Sequence, residues 1–430
     1  MNIKHRFLLM DMLFEGGRMF VGGVSIAFLI SRGILAADIA VIKALQACVV
    51  FVAEIPTGVL GDRYGHKFSL ISSVISALIG FVFYLSANSL TGFLIGELFL
   101  ALSLCFWSGS YEAWASINTG IDQCANQTKS FFHLNMSINQ TAVVILGFAG
   151  GYFSGVNNYQ NAYWGAAIIM TVLLVLIFLT PKTENKSPQL SNNQTLENAN
   201  VPKTNSMDIF KAAIQYSFYN SKLREILFIS VALQFLAQPL LHYWQPLFLS
   251  VKPDLSGQGL GLIFSIYSGA IVLASYIFKK NNTISNGTLV LAWIFLYILI
   301  GQTSNFYVIL AIFCFQQMNY SLLKVRYGAE LTHSAPTHIR ASIISVNSLI
   351  ARVGMLASLF FLSQILQDSQ VSYQNLYAAL GGVSLGFFIL INVIKVAGTM
   401  KSASAKGAGR INNLESNYTY LLRKATWIKK

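Results

Sequence analysis

The sequence predicts an all-α membrane protein with twelve transmembrane helices arranged as two six-helix bundles. Its 430 residues are 54% hydrophobic and 10% charged, and the mean hydropathy is +0.57. A soluble domain carries about 25% charged residues, so a soluble protein with a large core is excluded. Apolar runs of roughly 20 residues recur along the chain, and runs of this length cross a bilayer as helices.

The predicted helices follow one another with short loops and one long polar interruption. Residues 181–221 are rich in Asn, Gln, Ser, Thr and Lys, which predicts a flexible cytoplasmic linker. The linker separates residues 1–180 from residues 222–398, two segments of nearly equal length, and this indicates a six-plus-six duplication. A basic tail, 399–430, follows. The helices are expected at 7–30, 39–60, 68–87, 91–117, 130–155, 160–180, 222–249, 257–278, 286–302, 305–327, 338–366 and 373–397.

The basic residues predict the orientation of the chain in the membrane. If the N-terminus, the even-numbered turns, the linker and the tail share one side, that side holds 24 of the 29 Lys and Arg residues. Cytoplasmic loops carry the positive excess, so both termini are expected in the cytoplasm, in a bacterial inner membrane. The net charge of +13 is therefore a topology signal and requires no nucleic-acid partner. The tail either contacts anionic lipid or is solvated.

The decapeptide GVLGDRYGHK, residues 58–67, forms a short polar break between two apolar spans. Its glycines permit close approach of backbones, and its charges lie at two helix ends. The pattern resembles the G-x-x-x-D-R-x-G-R-K loop between helices 2 and 3 of the major facilitator superfamily, with His66 in place of the usual arginine. The matching residues are Gly58, Asp62, Arg63, Gly65 and Lys67.

Further segments resemble one broad branch of that superfamily. They are EIPTG from Glu54, SGSYEAW from Ser108 and a P-x-x-x-R-A pattern from Pro336. The superfamily fold packs helices 2 and 11 across the two halves, so the resemblance implies a contact between Glu54 and Arg352 and a position for Asp62 at the start of helix 11. Helix 4 lacks the arginine that many proton-coupled members have, and the helix 5 glycines lack the proline typical of antiporters.

Helix 1 carries charged residues inside a predicted span. Asp11, Glu15, Arg18 and Gly22 recur at the spacing of one helical face, and Glu15 and Arg18 can pair at i, i+3. Charged groups within a membrane persist where they face a cavity or a partner. The stripe is either a cavity wall with a titratable carboxylate or a structural ion pair.

Helix 4 contains Glu112 within the aromatic stripe Trp107, Tyr111 and Trp114. No basic residue lies in the same helix, and desolvation would disfavour the charged form of this carboxylate. Glu112 is thus expected to be a proton site or substrate anchor, against the alternative of a buried glutamate hydrogen-bonded to serines.

Helix 7 supplies a polar face in the second half of the chain, since amide and imidazole side chains are unsuited to a lipid contact. The pattern favours hydrogen bonds to substrate over bonds between helices. Further cavity candidates lie in helices 5 and 10. The helix 7 residues are Gln234, Gln238, His242 and Gln245, and the others are Asn135, Asn139, Gln316, Asn319 and Tyr320.

The sequence as a whole predicts a secondary transporter that works by alternating access. No Walker motif occurs, so the energy is expected from protons carried by Glu112, Glu15 or Asp11. Export of an amphiphilic small organic compound is favoured, and uptake of a nutrient or a metal-chelating metabolite is close behind. A membrane sensor, scaffold or polytopic enzyme is the alternative of another class. A monomer without cofactor or metal site is expected, with substrate, protons and the bilayer as partners.

Overall fold

The computed structural model describes residues 3–119, 125–156, 158–181, 206–280, 285–336, 339–367, 371–386 and 388–389. Regular secondary structure in these ranges is helical. Residues 373–386 and 388–389 continue the helical pattern after the last numbered helix. The helices are α1 (Ile3–Gly22), α2 (Ser25–Ser31), α3 (Ala36–Tyr64), α4 (His66–Ser86), α5 (Leu90–Trp107), α6 (Ser110–Thr119), α7 (Ala125–Ser154), α8 (Gln160–Leu179), α9 (Ser206–Tyr219), α10 (Ser221–His242), α11 (Trp244–Val251), α12 (Gly257–Lys280), α13 (Asn286–Gly301), α14 (Phe306–Ser334) and α15 (Arg340–Ile365).

The predicted all-α membrane architecture is confirmed. Within the described residues, eight helices are long and apolar enough to cross a membrane, and α1 with α2 forms a ninth candidate bent by 42°. The shorter α13 is apolar along its length, and α7 coincides with the predicted fifth span. The number twelve itself stays a prediction.

Three spans that the sequence predicts as continuous are broken. The α1–α2 break follows Gly22, and the α5–α6 break falls at Ser108 and Gly109, where Gly109 has a φ of +73°. The α10–α11 break falls at Tyr243, four residues after Pro239. Glycine tolerates the backbone angles of a break, and proline removes a helical N–H donor, which accounts for the positions of these interruptions.

The described residues fall into two compact units. The first comprises the described parts of 1–182, 231–326 and 351–384, and it contains every site considered below. Helix α4 packs along α5, and α7 packs against both α1 and α12. The predicted boundary between sequence halves is not tested by this grouping.

A glycine contact joins α7 to α12 within the first unit. We define it by Gly147 and Gly151 on α7 and Gly257 and Gly261 on α12, each pair spaced i, i+4. A Cβ added at Gly151 would lie 2.5 Å from the Gly261 Cα and 2.6 Å from the Gly257 carbonyl oxygen. Small residues at this spacing are typical of close helix packing in membranes.

The second unit comprises the described parts of 183–230, 327–350 and 385–430. Its core includes Ala213 on α9, Leu223 and Ile226 on α10, and Leu331 and Ile343 on α14 and α15. Helix α9 lies inside the segment that the sequence predicts as a flexible linker, so that prediction is wrong for residues 206–219. The segment is mostly polar, so its short apolar repeat in α9, which packs in the core of the second unit, was not recognised from composition. Residues 182–205 and the basic tail lie outside the described residues.

Candidate functional site

A cavity of about 490 Å³ lies in the first unit between α1, the α5–α6 break and α7. Three carboxylates, Asp11, Glu15 and Glu112, line it together with aromatic rings. We call it the acidic cavity. The three proton-coupling candidates from the sequence thus meet at one site. The volume falls within the range of about 300–1,000 Å³ that small-molecule sites occupy.

Asp11 is the buried carboxylate of the acidic cavity, and 7% of the residue is exposed. Its Oδ1 accepts a hydrogen bond from Trp107 Nε1 at 2.9 Å. Its Oδ2 accepts bonds from the Nδ2 atoms of Asn135 and Asn139, each at 2.6 Å. Three neutral donors therefore hold this carboxylate, and an ionised carboxylate is an acceptor only. The sequence predicts Trp107, Asn135 and Asn139 as cavity residues. It does not predict that all three donate hydrogen bonds to Asp11.

Glu15 and Arg18 form the ion pair that their spacing predicts. Arg18 Nη1 lies 3.0 Å from Glu15 Oε1 and 3.1 Å from Oε2, and about a quarter to a third of each side chain is exposed. The Arg18 guanidinium also lies 5.8 Å from the centre of the Phe14 ring. Glu15 therefore lines the acidic cavity as one partner of an ion pair.

Glu112 lies in the first turn of α6 and is exposed where it lines the acidic cavity. The protein itself therefore does not enclose this carboxylate, and its desolvation stays a prediction. The positive φ of Gly109 turns the chain before α6 begins. This turn places Glu112, in the first turn of α6, at the wall of the cavity. The acidic cavity thus combines a buried carboxylate, Asp11, with an exposed one, Glu112.

An aromatic stack forms part of the same wall. Phe14 and Trp107 lie 3.9 Å apart at 5°, and Trp107 and Tyr111 lie 5.5 Å apart at 8°. The Tyr111 hydroxyl donates to the Phe7 carbonyl at 2.9 Å. Trp114, the third member of the predicted stripe, is buried in an edge contact with Phe7 and is not a lining residue of this cavity.

The polar face predicted for helix 7 is divided by the break at Tyr243. Gln234, Gln238 and His242 lie on α10, whereas Gln245 lies on α11. Gln245 Oε1 accepts from the backbone N–H groups of Ile26 at 3.0 Å and Ala27 at 2.8 Å, and its Nε2 donates to the Gly22 carbonyl at 2.9 Å. Its amide is thus bonded to the two helix ends at the α1–α2 break.

The predicted contact between helices 2 and 11 is present. Arg352 Nη2 on α15 lies 3.0 Å from Glu54 Oε2 on α3. The pair lines a second cavity of about 310 Å³ that shares Ser108 with the acidic cavity. Glu54 is nearly half exposed, so the pair is worth about 1 kcal/mol or less to stability.

The signature loop is a tight turn between α3 and α4. Gly65 has φ +95° and ψ +148°, angles open to glycine, and a Cβ on Gly61 would lie 2.7 Å from Ser110 Oγ. Lys67 Nζ donates to the carbonyl oxygens of Phe178 at 3.1 Å and Thr180 at 2.6 Å. The remaining residues differ in exposure: Asp62 and Arg63 are exposed, His66 is half-buried, and Gly58 has open space beside it among the described residues. Capping of helix 11 by Asp62 stays a prediction.

Lys43 and Glu97, which no spacing along the chain connects, form an ion pair within the first unit. Lys43 Nζ on α3 lies 2.8 Å from Glu97 Oε1 on α5, and Glu97 is fully buried. The Tyr84 hydroxyl on α4 donates to Glu97 Oε2. The one feature of the sequence that could have indicated this pair is the presence of opposite charges in two apolar spans. Loss of one partner of a buried pair costs about 3–5 kcal/mol, which marks this contact as structural.

Comparisons with known proteins agree with this architecture. Residues 8–359 match the family model of the Major Facilitator Superfamily. An uncharacterized MFS-type transporter, YxaM of Bacillus subtilis (strain 168), is 28% identical over 244 residues, which are 56% of this chain and 57% of the relative. The chain thus aligns with little more than half the length of this curated relative.

Solved structures support the same fold. The nucleoside transporter NupG is 12% identical with a TM-score of 0.72, over 92% of this chain and 99% of NupG. A D-xylose-proton symporter is 13% identical with a TM-score of 0.65, over 90% of this chain and 96% of the symporter. At this identity the likeness concerns the fold alone. Together with the family match over most of the chain, these findings establish that the chain belongs to the Major Facilitator Superfamily, a family of membrane transporters and not of enzymes.

Proposed function

We propose that the protein is a proton-coupled secondary transporter for a small organic compound, with the carboxylates of the acidic cavity as its proton sites. One observation carries this proposal: Asp11, buried and held by three neutral donors, borders the same cavity as the exposed Glu112. A proton that reaches Glu112 from water has a second carboxylate within the same wall. Intramembrane carboxylates at a cavity are characteristic of proton relays.

Protonation of Asp11 would change its contacts. A protonated carboxyl keeps one acceptor oxygen and gains an O–H donor, so one of the bonds from Trp107, Asn135 or Asn139 must weaken. Trp107 lies on α5, and the two asparagines lie on α7. Binding of a proton at Asp11 would therefore loosen α1 from one of these helices, and this links the proton to helix movement.

We favour export as the direction of transport, and it is tested first. Uptake together with protons is the second candidate. It is supported by the fold likeness to a D-xylose-proton symporter. The two directions differ in which pH gradient drives accumulation, so one assay separates them.

Proteoliposomes provide the test. Compounds whose levels differ between cells with and without the protein serve as candidate substrates, and pH gradients of both polarities are imposed. We expect gradient-driven accumulation by the wild type, loss of accumulation in Glu112→Gln and Asp11→Asn, and retained substrate exchange in both variants.

Asp254→Asn is the control, because this carboxylate is exposed between α11 and α12 and lines neither of the two cavities described above. We expect it to keep proton-driven accumulation. Accumulation by Glu112→Gln and Asp11→Asn at the wild-type level would refute a coupling role for the acidic cavity.

We further propose that both termini and the segment around residue 195 face the cytoplasm of a bacterial inner membrane. The excess of basic residues on that side supports this orientation. A cysteine introduced at Thr195 should resist an impermeant thiol reagent in intact cells and react in inverted vesicles. Reaction in intact cells would reverse the orientation.

A further inference from the structure

Helix α9 packs against the second unit through one face. Ala213 and Ser217, spaced i, i+4 on that face, are fully buried. Ala213 belongs to the core that also contains Leu223 on α10, Leu331 on α14 and Ile343 on α15. Three other helices therefore hold the inner face of α9 in place.

The opposite face of α9 is exposed and carries two adjacent aromatic rings. Gln215, Phe218 and Tyr219 are spaced i, i+3 and i+4, and all three are exposed. We call them the outer face of α9. Phe218 is 44% exposed and Tyr219 is 73% exposed, whereas large aromatic side chains are mostly buried in soluble proteins. Neighbouring exposed rings on a firmly packed helix indicate a surface with a partner.

The charge pattern of α10 places the bend between α9 and α10 at the membrane surface. Residues 226–251 contain no Asp, Glu, Lys or Arg, and Lys222, Arg224 and Glu225 directly precede them. Helix α10 therefore enters the hydrocarbon after Glu225. Asn220, at the bend, lies five residues earlier, which is about 8 Å along a helix. The headgroup region is about 5–8 Å deep on each side of a bilayer, so the bend lies within it or at its edge.

Helix α14 gives the same depth for the core that holds α9. Residues 306–323 contain no Asp, Glu, Lys or Arg, and Lys324, Arg326 and Glu330 follow. The 29 residues of α14 span about 44 Å, whereas the hydrocarbon is about 30 Å thick. The charged end of α14 therefore projects out of the hydrocarbon. Leu331, which packs in the core with Ala213, lies on this projecting end.

Hydrogen bonds fix the bend from both sides. Asn220 Oδ1 accepts from the backbone N–H groups of Lys222 at 3.0 Å and Leu223 at 3.1 Å, as the N-cap of α10. Arg224 Nη1 donates to the Phe218 carbonyl at 3.2 Å, near the C-terminal end of α9. The direction in which the outer face of α9 points is thus set by the start of α10.

We propose that the outer face of α9 is a membrane-surface contact and that, together with Lys222, it binds the headgroups of anionic phospholipids. Amphipathic aromatic side chains favour this depth of the bilayer. The Lys222 side chain is 58% exposed at the bend. Residues 203–224 contain four basic residues and one acidic residue, which complements a negatively charged bilayer surface. The inference requires the membrane but not the proton coupling proposed above.

The depth of α9 is measured with spin labels on the full-length protein in nanodiscs, after the four native cysteines are replaced by serine. One label is attached at Tyr219→Cys. The control label is attached at Thr332→Cys, which is exposed near the projecting end of α14. Oxygen concentrates in lipid and a nickel complex in water, so we expect a higher ratio of oxygen to nickel accessibility at 219 than at 332. Equal ratios would overturn the proposal. Low accessibility to both reagents at 219 would also overturn it, because protein would then cover the outer face.

The lipid partner is tested with two variants that break the same ion pair. Lys222 Nζ lies 3.5 Å from Glu330 Oε1, so Lys222→Gln and Glu330→Gln both remove this contact, but only the first removes the cation. Unfolding midpoints are compared in nanodiscs of phosphatidylcholine alone and of phosphatidylcholine with phosphatidylglycerol. We expect the anionic lipid to raise the midpoint of the wild type. Lys222→Gln should lose most of this rise, and Glu330→Gln should keep it.

The result separates a lipid contact from a structural ion pair. An equal loss of the rise in both variants would assign the effect to the pair and overturn the proposed lipid partner. An unchanged midpoint of the wild type in the presence of phosphatidylglycerol, or a full rise in Lys222→Gln, would overturn it as well.

Discussion

Gln245 supplies from a distance the caps that the α1–α2 break lacks. Val24, which precedes α2, makes no side-chain capping bond. Instead, Gln245 Oε1 accepts from Ile26 and Ala27, the second and third residues of α2, as a local N-cap side chain would. Its Nε2 donates to the carbonyl of Gly22, the last residue of α1. One amide thus satisfies both helix ends across more than 200 residues of sequence.

We expect Gln245→Met to destabilise the protein by about 3 kcal/mol. Two buried N–H groups and the part-buried Gly22 carbonyl lose their partner, and each unsatisfied group costs about 1–3 kcal/mol, with relaxation of the break keeping the total near the lower bound. Gln317→Met is the control, because Gln317 is as deeply buried but, among the described residues, its side chain makes one hydrogen bond, to the Leu240 carbonyl. Its expected cost is about 1 kcal/mol.

Chemical unfolding of both variants in the same detergent provides the comparison, with the ratio of the two losses as the readout. A ratio near three supports trans-capping. Equal losses, or a smaller loss for Gln245→Met, would refute the reasoning. A second readout is the distance between spin labels at the C-terminal ends of α2 and α11. We expect a broader distance distribution in Gln245→Met than in Gln317→Met.

Two further predictions concern α3. Reversing one charge of the Glu54–Arg352 pair should lower the unfolding free energy by about 1 kcal/mol or less. In a double-mutant cycle, the double reversal Glu54→Arg with Arg352→Glu should recover most of that loss. No recovery would mean that the two residues are not coupled. Gly65→Ala should cost about 1–3 kcal/mol because φ is +95°, whereas Gly58→Ala, inside α3 with open space, should be neutral or stabilising by up to about 1 kcal/mol; equal effects in thermal unfolding would contradict the role given to φ.

Sequence reasoning located most helices because apolar runs in a membrane protein record burial in lipid directly. It also paired Glu15 with Arg18 by spacing along one helix, and Glu54 with Arg352 through the family resemblance. The first pair follows from helical spacing, and the second needs knowledge of the family fold. The breaks after Gly22, at Ser108 and at Tyr243 were missed because a short kink leaves hydropathy almost unchanged.

Other contacts between distant helices were beyond sequence reasoning. Asp11 gains its three donors from α5 and α7, and no spacing in the chain announces that convergence. The same holds for Gln245, whose place in the helix 7 stripe indicated a substrate contact although its amide bonds to backbone at the α1–α2 break. Polar residues within spans identify groups that need partners, but only the fold identifies the partners.

The glycine contact between α7 and α12 has a consequence for motion. Glycine has no rotamers, so bringing Gly151 against Gly261 freezes no side chain, and parting them breaks no directional bond at that point. The attraction there is dispersion between backbones, which falls off within about an ångström of separation. Two such helix surfaces can separate and pack again with the same fit. A single methyl group added at Gly151 would lie too close to Gly261 and would keep the two helices apart.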